Sequence, residues 1–254
     1  MIVIPVIDLL DNKVVRGIAG ERKNYQPIKE SVLCATANPV TVAKTFQKKL
    51  GARWLYIADL NRIEQPGKPS ENTNDHQISA ITRETSLKVM LDAGCQTAEE
   101  AKKITDLGID QVIFGTETLS SIEELKQSAE KIGGERIILS IDLLEGSLLA
   151  KKKSVKNYSP RELGKIAEEL ALKAIIILDL RKVGSQAGPI TESLLEISTA
   201  VKRVPVLTGG GVRNIDDLKQ LEKKGIAGAL LATALHKGSI TKEDLKTLPL
   251  QNDW

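Results

Sequence analysis

The chain has 254 residues, with 36 basic against 33 acidic side chains and a net charge of +3. That near-balance gives no reason to expect a nucleic-acid partner, and no apolar stretch reaches the roughly 18 residues of a membrane span. Hydrophobic residues make up 41% and aromatics only 3%, so the core must be aliphatic, as suits parallel strands buried on both faces.

The segment MIVIPVID begins directly as a strand, without a basic leader, so no secretory signal is expected and the chain is read as cytoplasmic. This first strand, 2–8, closes on Asp8 and leads into a hairpin carrying Lys13 and Arg16. Residues 18–38 form a long connection, read as either a lid or binding loop or as disorder. A helix is expected over 39–51 and a strand over 54–59 ending in Asp59. A second long polar segment, 60–77, then precedes a strand at 87–92.

Strands at 111–115, 136–142, 174–179, 204–208 and 227–232 follow, alternating with helical periodicity over 97–108, 121–133, 159–172, 191–202 and 214–225. Several helices open on Asn, Ser or Thr and close on Gly, the expected cap residues. Lys151, Lys152 and Lys153 are read as a solvated turn. Eight strand–helix units without a long linker predict a single-domain α/β fold over 1–254, a (βα)8 TIM barrel. A doubly wound open sheet would concentrate glycines in one first loop. Here glycines and aspartates are spread over many strand ends, which favours the barrel.

The chain also repeats itself. PVIDLLDNKVVRG (5–17) is echoed by LSIDLLEGSLLAK (139–151), and LYIADLNRI (55–63) by IIILDLRKV (175–183). VMLDAGCQTAEEA (89–101) matches VLTGGGVRNIDDL (206–218), and the same 117-residue offset carries IFGTETL (113–119) onto LLATALH (230–236). A period above 100 residues is too long for a solenoid, whose repeats run about 20–50 residues. It predicts two half-barrels, about 1–133 and 134–254, facing each other across one centre.

In such a barrel the strand C-termini converge on one face, where active sites lie. Asp8 and Asp142 end strands 1 and 5, so they are read as an acid/base pair on one small ligand. Capping of a loop or helix is the alternative. Gly209, Gly210 and Gly211 after strand 7, with Ala232 and Thr233 after strand 8, can offer backbone amides and a hydroxyl to a phosphate. The corresponding first-half positions, Gly94 after strand 3 and Gly115 and Thr116 after strand 4, keep fewer glycines and make a weaker or altered phosphate site. Asp59 and Asp179, at the ends of strands 2 and 6, are either ligand contacts or partners of loop amides. Arg16, Lys13 and Arg213 either add charge to an anion or face solvent. Cys34 and Cys95 lack zinc-type spacing, and His76 and His236 are the only histidines, so no metal is expected.

IPVIDLLDNKVVRG, IADLN, IFGTETL, SIDLLEG, TGGGV and LATALHKG together resemble the histidine-biosynthesis (βα)8-barrel family over essentially the whole chain. Two members of that family are a ribotide isomerase and the cyclase subunit of imidazole glycerol phosphate synthase. The resemblance implies that Asp8 and Asp142 are the acid/base pair. In the isomerase such a pair opens an aminoaldose ring and moves a proton from C2 to C1, an Amadori rearrangement. It also implies a substrate with two phosphates. No cofactor is expected, and both a glutaminase-like partner, which the family's cyclase docks on the opposite barrel face, and a homo-oligomer stay open.

Departures from the family pattern are specific. Leu178 stands where a threonine is usual, Val183-Gly184-Ser185 replaces a DGT-like turn, and Asp92-Ala93-Gly94-Cys95-Gln96 replaces GGGIR. The chain therefore resembles a divergent paralogue, of the sort found alongside methanopterin-linked one-carbon metabolism. Three readings follow: an isomerase acting on a phosphorylated sugar derivative, a paralogue with another reaction on a singly phosphorylated metabolite, or a non-catalytic binding or partner subunit.

Overall fold

The computed structural model describes residues 1–16, 24–66, 74–183, 185 and 187–249. Eight parallel strands form the centre: β1 (Ile2–Leu10), β2 (Trp54–Asp59), β3 (Lys88–Asp92), β4 (Gln111–Gly115), β5 (Ile137–Leu144), β6 (Ala174–Asp179), β7 (Val206–Gly209) and β8 (Gly228–Leu231). Each pairs with the next in sequence, and Ile2 to Pro5 of β1 pair with Gly228 to Leu231 of β8, which closes the ring. The chain is a single-domain (βα)8 TIM barrel. Among the described residues, no helix is long and apolar enough to cross a membrane.

Strand side chains alternate between two faces, and the buried residues divide accordingly. Ile4, Met90, Ile113, Ile138, Ile176, Leu207 and Leu230 fill the barrel interior. Ile7, Leu55, Val89, Phe114, Leu139 and Ile175 face the other way and pack under the helices.

The surrounding helices start where the sequence supplies caps. They are α1 (Pro39–Thr45), α2 (Asp75–Glu84), α3 (Ala98–Asp106), α4 (Ile122–Ile132), α5 (Pro160–Glu169), α6 (Glu192–Ala200) and α7 (Ile215–Lys223). Asn38, Thr97, Ser121, Ser159, Thr191 and Asn214 each accept a first-turn N–H, which satisfies an otherwise orphaned donor.

Three departures from the expected elements have local causes. β1 and β5 run two residues beyond Asp8 and Asp142 because each continues into an antiparallel hairpin, with Lys13–Arg16 and Ser147–Leu148. The helix expected over 39–51 ends as a wider turn at Phe46–Leu50 before Gly51. Within 60–77, expected as loop, Leu60–Glu64 is helical and α2 begins at Asp75. Its cap residue, Asn74, is fully buried and makes no capping bond. That side chain instead donates to Asp59 and Asn61 and accepts from the Asn12 N–H, tying the segment after β2 to the first hairpin.

Candidate active site

Because alternate residues of each strand point inward, the last inward residue of each strand forms a ring at the barrel mouth. In β1 the interior run Ile2, Ile4, Val6 continues to Asp8, and in β5 the run Ile138, Ser140 continues to Asp142. The same parity brings Asp92 inward on β3, opposite Gly209 on β7, while Gly115 on β4 stands opposite Ala232 after β8. Ala58 on β2 and Leu178 on β6 complete the ring. The eight ring residues, Asp8, Ala58, Asp92, Gly115, Asp142, Leu178, Gly209 and Ala232, line one cavity of about 460 Å³.

Asp142 is the most elaborately held carboxyl. Its Oδ1 accepts from Ser140 Oγ (2.7 Å), its Oδ2 accepts from the Glu117 N–H (3.2 Å), and its own N–H donates to Thr116 Oγ1 (2.9 Å). Burial raises its pKa to about 7, and the nearby Asp92 carboxylate pushes in the same direction; the Ser140 and Glu117 hydrogen bonds oppose them. Gly115 makes this geometry possible, since a Cβ there would lie 2.9 Å from Asp142 Oδ2.

The Tyr56 hydroxyl donates to Asp92 Oδ2 at 3.3 Å. Burial and three carboxylates, Asp92, Asp142 and Asp8, hold the phenol well above its ordinary pKa, so it stays neutral. Glu117 also lines the cavity and pairs with Lys151 at 3.0 Å.

On the other side, Gly210 and Gly211 line the cavity with left-handed backbone (φ +84° and +78°). A Cβ on Gly211 would lie 2.5 Å from the Gly188 carbonyl oxygen, so only glycine fits this close approach of two loops. Thr233 follows Ala232 at the start of a short helix, Thr233–His236. His236 also faces the cavity; burial, then Arg16, lowers its pKa to about 4, and its Nδ1 is 2.8 Å from Ser31 Oγ. Arg16 and residues 25–30 of the first long connection supply a further wall. Residues 17–23, at the start of that connection, lie outside the described residues, as do 67–73 of the second.

The expected site residues thus divide. Asp8, Asp142, Gly115, Gly209, Gly210, Gly211, Ala232, Thr233 and Arg16 share the cavity, while Gly94, Thr116, Asp59 and Asp179 do not line it. Thr116 sits behind the wall, bonded to the Asp142 N–H and the Leu149 carbonyl. Gly94 (φ +62°) lets the turn after β3 pack on Ile63, whose Cα would be 3.1 Å from a Cβ. Asp59 and Asp179 follow inward residues and therefore point outward. Asp59 accepts from Asn74 and the Arg62 N–H, and Asp179 from the Arg181 N–H, the contacts that the loop-amide alternative describes. Arg213 pairs through two nitrogens with Asp217, at 2.9 and 2.7 Å, and is not among the cavity residues. Tyr56, Asp92 and His236 were not among the expected site residues. Strand alternation alone identifies the first two, whereas His236 is brought in by a loop contact with no local signal.

Residues 2–241 match the histidine biosynthesis protein family. A protein of Methanocaldococcus jannaschii, described only as uncharacterized, is 34% identical over 248 residues, 96% of this chain and 97% of its own length. The 1-(5-phosphoribosyl)-5-((5-phosphoribosylamino)methylideneamino)imidazole-4-carboxamide isomerase of Methanococcus maripaludis is 31% identical over 245 residues, covering 96% of this chain and 98% of its own. Its namesake from Gloeothece citriformis is 31% identical over 258 residues, covering 100% and 95%. With a closed barrel, carboxyls at the mouth and a match spanning nearly the whole sequence, the chain belongs to the histidine biosynthesis protein family.

Proposed function

We propose that the chain is an isomerase acting on a phosphorylated sugar derivative by acid/base transfer between Asp8 and Asp142. The names of its relatives support isomerase chemistry on a phosphoribosyl compound. The observation that carries the reading is the Asp142 carboxyl, which faces the same cavity as Asp8 and has a pKa of about 7. At neutral pH such a group still holds a proton to give.

In an aldose-to-ketose rearrangement Asp142 donates that proton to the ring oxygen as the C1–O bond breaks. Asp8 then removes the proton from C2, and the resulting enaminol is protonated at C1 by Asp8, whose proton can exchange with solvent, while the C2 hydroxyl gives its proton back to Asp142, which leaves a C2 ketone and restores both carboxyls. No electrons leave or enter the substrate, so the rearrangement is redox-neutral overall. The acid has to be protonated where the base is not, and burial beside Asp92 is what holds Asp142 in the acid form.

The test is turnover of the phosphoribosylated aminoaldose named for the relatives, and of simpler phosphorylated aldoses, in D2O with NMR detection of label in the ketose. Asp8→Asn and Asp142→Asn should each slow isomerisation by roughly 10²–10⁴-fold. Wild-type rates in both variants would refute the mechanism.

A further inference from the structure

The two ends of the cavity mouth differ in what engages the loop amides. The Gln96 N–H bond to Glu100 has its counterpart in the Arg213 N–H bond to Asp217 and does not distinguish the ends. At the β3/β4 end alone, the Gly94 N–H donates to Asp92 Oδ1 (3.0 Å) and the Glu117 N–H to Asp142 Oδ2 (3.2 Å). These N–H groups are what a phosphate would need, and the chain's own carboxylates already occupy them. An incoming phosphate would have to displace groups of its own sign of charge. At the β7/β8 end the N–H groups of Gly210 and Gly211 have no hydrogen-bond partner among the described residues. Both residues line the cavity, as do Arg16 and Lys237. The cavity mouth is therefore uneven: loop amides engaged by carboxylates at one end, open amides with Arg16 and Lys237 at the other.

We propose that the site takes a ligand with a single phosphate, bound at Gly210, Gly211 and Thr233, whose opposite end presents hydrogen-bond donors, hydroxyl or amine, to Asp92 and Tyr56. Asp92 is the specificity-determining residue. Its Oδ1 is engaged by the Gly94 N–H, and its Oδ2 receives the Tyr56 hydroxyl, whose oxygen can still accept from the ligand. This inference deepens the isomerase reading and rests on it only for the choice of cavity. It assigns the substrate class as a sugar monophosphate with a polar, non-anionic far end.

Soaking crystals in inorganic phosphate tests the first half. One phosphate should appear at Gly210 and Gly211, with none in reach of the Gly94 or Glu117 amides. A phosphate at the β3/β4 end, or none at the β7/β8 end, overturns the proposal. Calorimetric titration tests the second half. The wild-type protein should bind ribose 5-phosphate about tenfold more tightly than ribulose 1,5-bisphosphate, because like charges brought together at a binding site are strongly disfavoured. Asp92→Asn keeps the shape, removes the charge and should narrow that ratio. Glucosamine 6-phosphate against glucose 6-phosphate separates an amine from a hydroxyl at the Asp92 end. Bisphosphate binding as tight as that of the monophosphates, or an unchanged ratio in Asp92→Asn, overturns the proposal. None of these measurements involves turnover, so a failure of the acid/base mechanism would show instead as active Asp8→Asn and Asp142→Asn variants.

Discussion

The turn after β3 and the turn after β7 stand at equivalent positions on the barrel rim, yet they hold their amides differently. After β7 three glycines leave the backbone bare, and two N–H groups at the cavity have no partner among the described residues. After β3 the first of those positions is Asp92, whose carboxylate bends back onto the Gly94 N–H and receives the Tyr56 hydroxyl. The same loop geometry can bind an anion or exclude one. In the proposed reading the inward residue, Gly209 or Asp92, decides which, and the Asp92 charge also raises the pKa of Asp142.

The largest effect expected from this asymmetry is on pH-dependent stability. The Asp142 pKa rises on folding from 3.8 to about 7, by burial and then by Asp92. The folded state therefore favours the protonated acid. Its contribution is fully present below about pH 4 and is lost as pH rises towards 7, a change of about 4 kcal/mol. His236 works in the opposite sense, because burial lowers its pKa from 6.5 to about 4, so its contribution is lost as pH falls through that range. The difference between wild type and Asp142→Asn isolates the first effect. Urea unfolding across pH 4 to 8 should show the variant gaining stability relative to wild type as pH rises. A flat difference would mean that Asp142 ionises freely and is no acid at neutral pH.

Next in size is the backbone contrast between the two turns. Gly211→Ala meets left-handed strain and a carbonyl oxygen at 2.5 Å, which belongs to backbone and cannot rotate away. The expected loss is about 3 kcal/mol. Gly94→Ala carries similar strain, but its nearest atom is the Ile63 Cα at 3.1 Å, so the loss should be nearer 2 kcal/mol. Denaturant midpoints would order the two, and a costlier Gly94→Ala would mean that the β3 turn is the tighter one.

The barrel and its mouth were legible in the sequence because strand alternation is strict where both faces are buried. Asp8 and Asp142 inherit their inward direction from the alternating runs Ile4, Val6 and Ile138, Ser140 that precede them. The same parity separates Asp59 and Asp179 from the cavity, although the sequence places all four aspartates at strand ends. A repeat match alone treats them alike, and only counting back from Ala58 and Leu178 distinguishes them. Asn74 and His236 were not legible. Asn74 resembles an ordinary helix cap, but its side chain is engaged by Asp59 and Asn61, a contact that depends on how two loops dock. His236 meets Ser31 and Phe46 across more than 180 residues of chain, which no local pattern encodes.

The smallest expected change in stability tests the most local part of the comparison. Gly115 and Ala232 are equivalent ring positions, and only the first lacks a Cβ. A methyl at 115 would lie 2.9 Å from Asp142 Oδ2 but 3.8 Å from the Asp92 carboxylate, so Asp142 must give way. Its side chain can move where a backbone atom could not, and Gly115→Ala should cost no more than about 1 kcal/mol. Turnover should suffer more. Moving a reacting group by a fraction of an ångström spoils the approach to substrate, and a fall in kcat of about tenfold or greater is expected. Parallel thermal-melt and rate measurements check this. A variant with unchanged melting and unchanged kcat would show that the acid position tolerates displacement. In that case the glycine would serve only to let the strands pack, and the proton donor would have to be sought elsewhere on the ring.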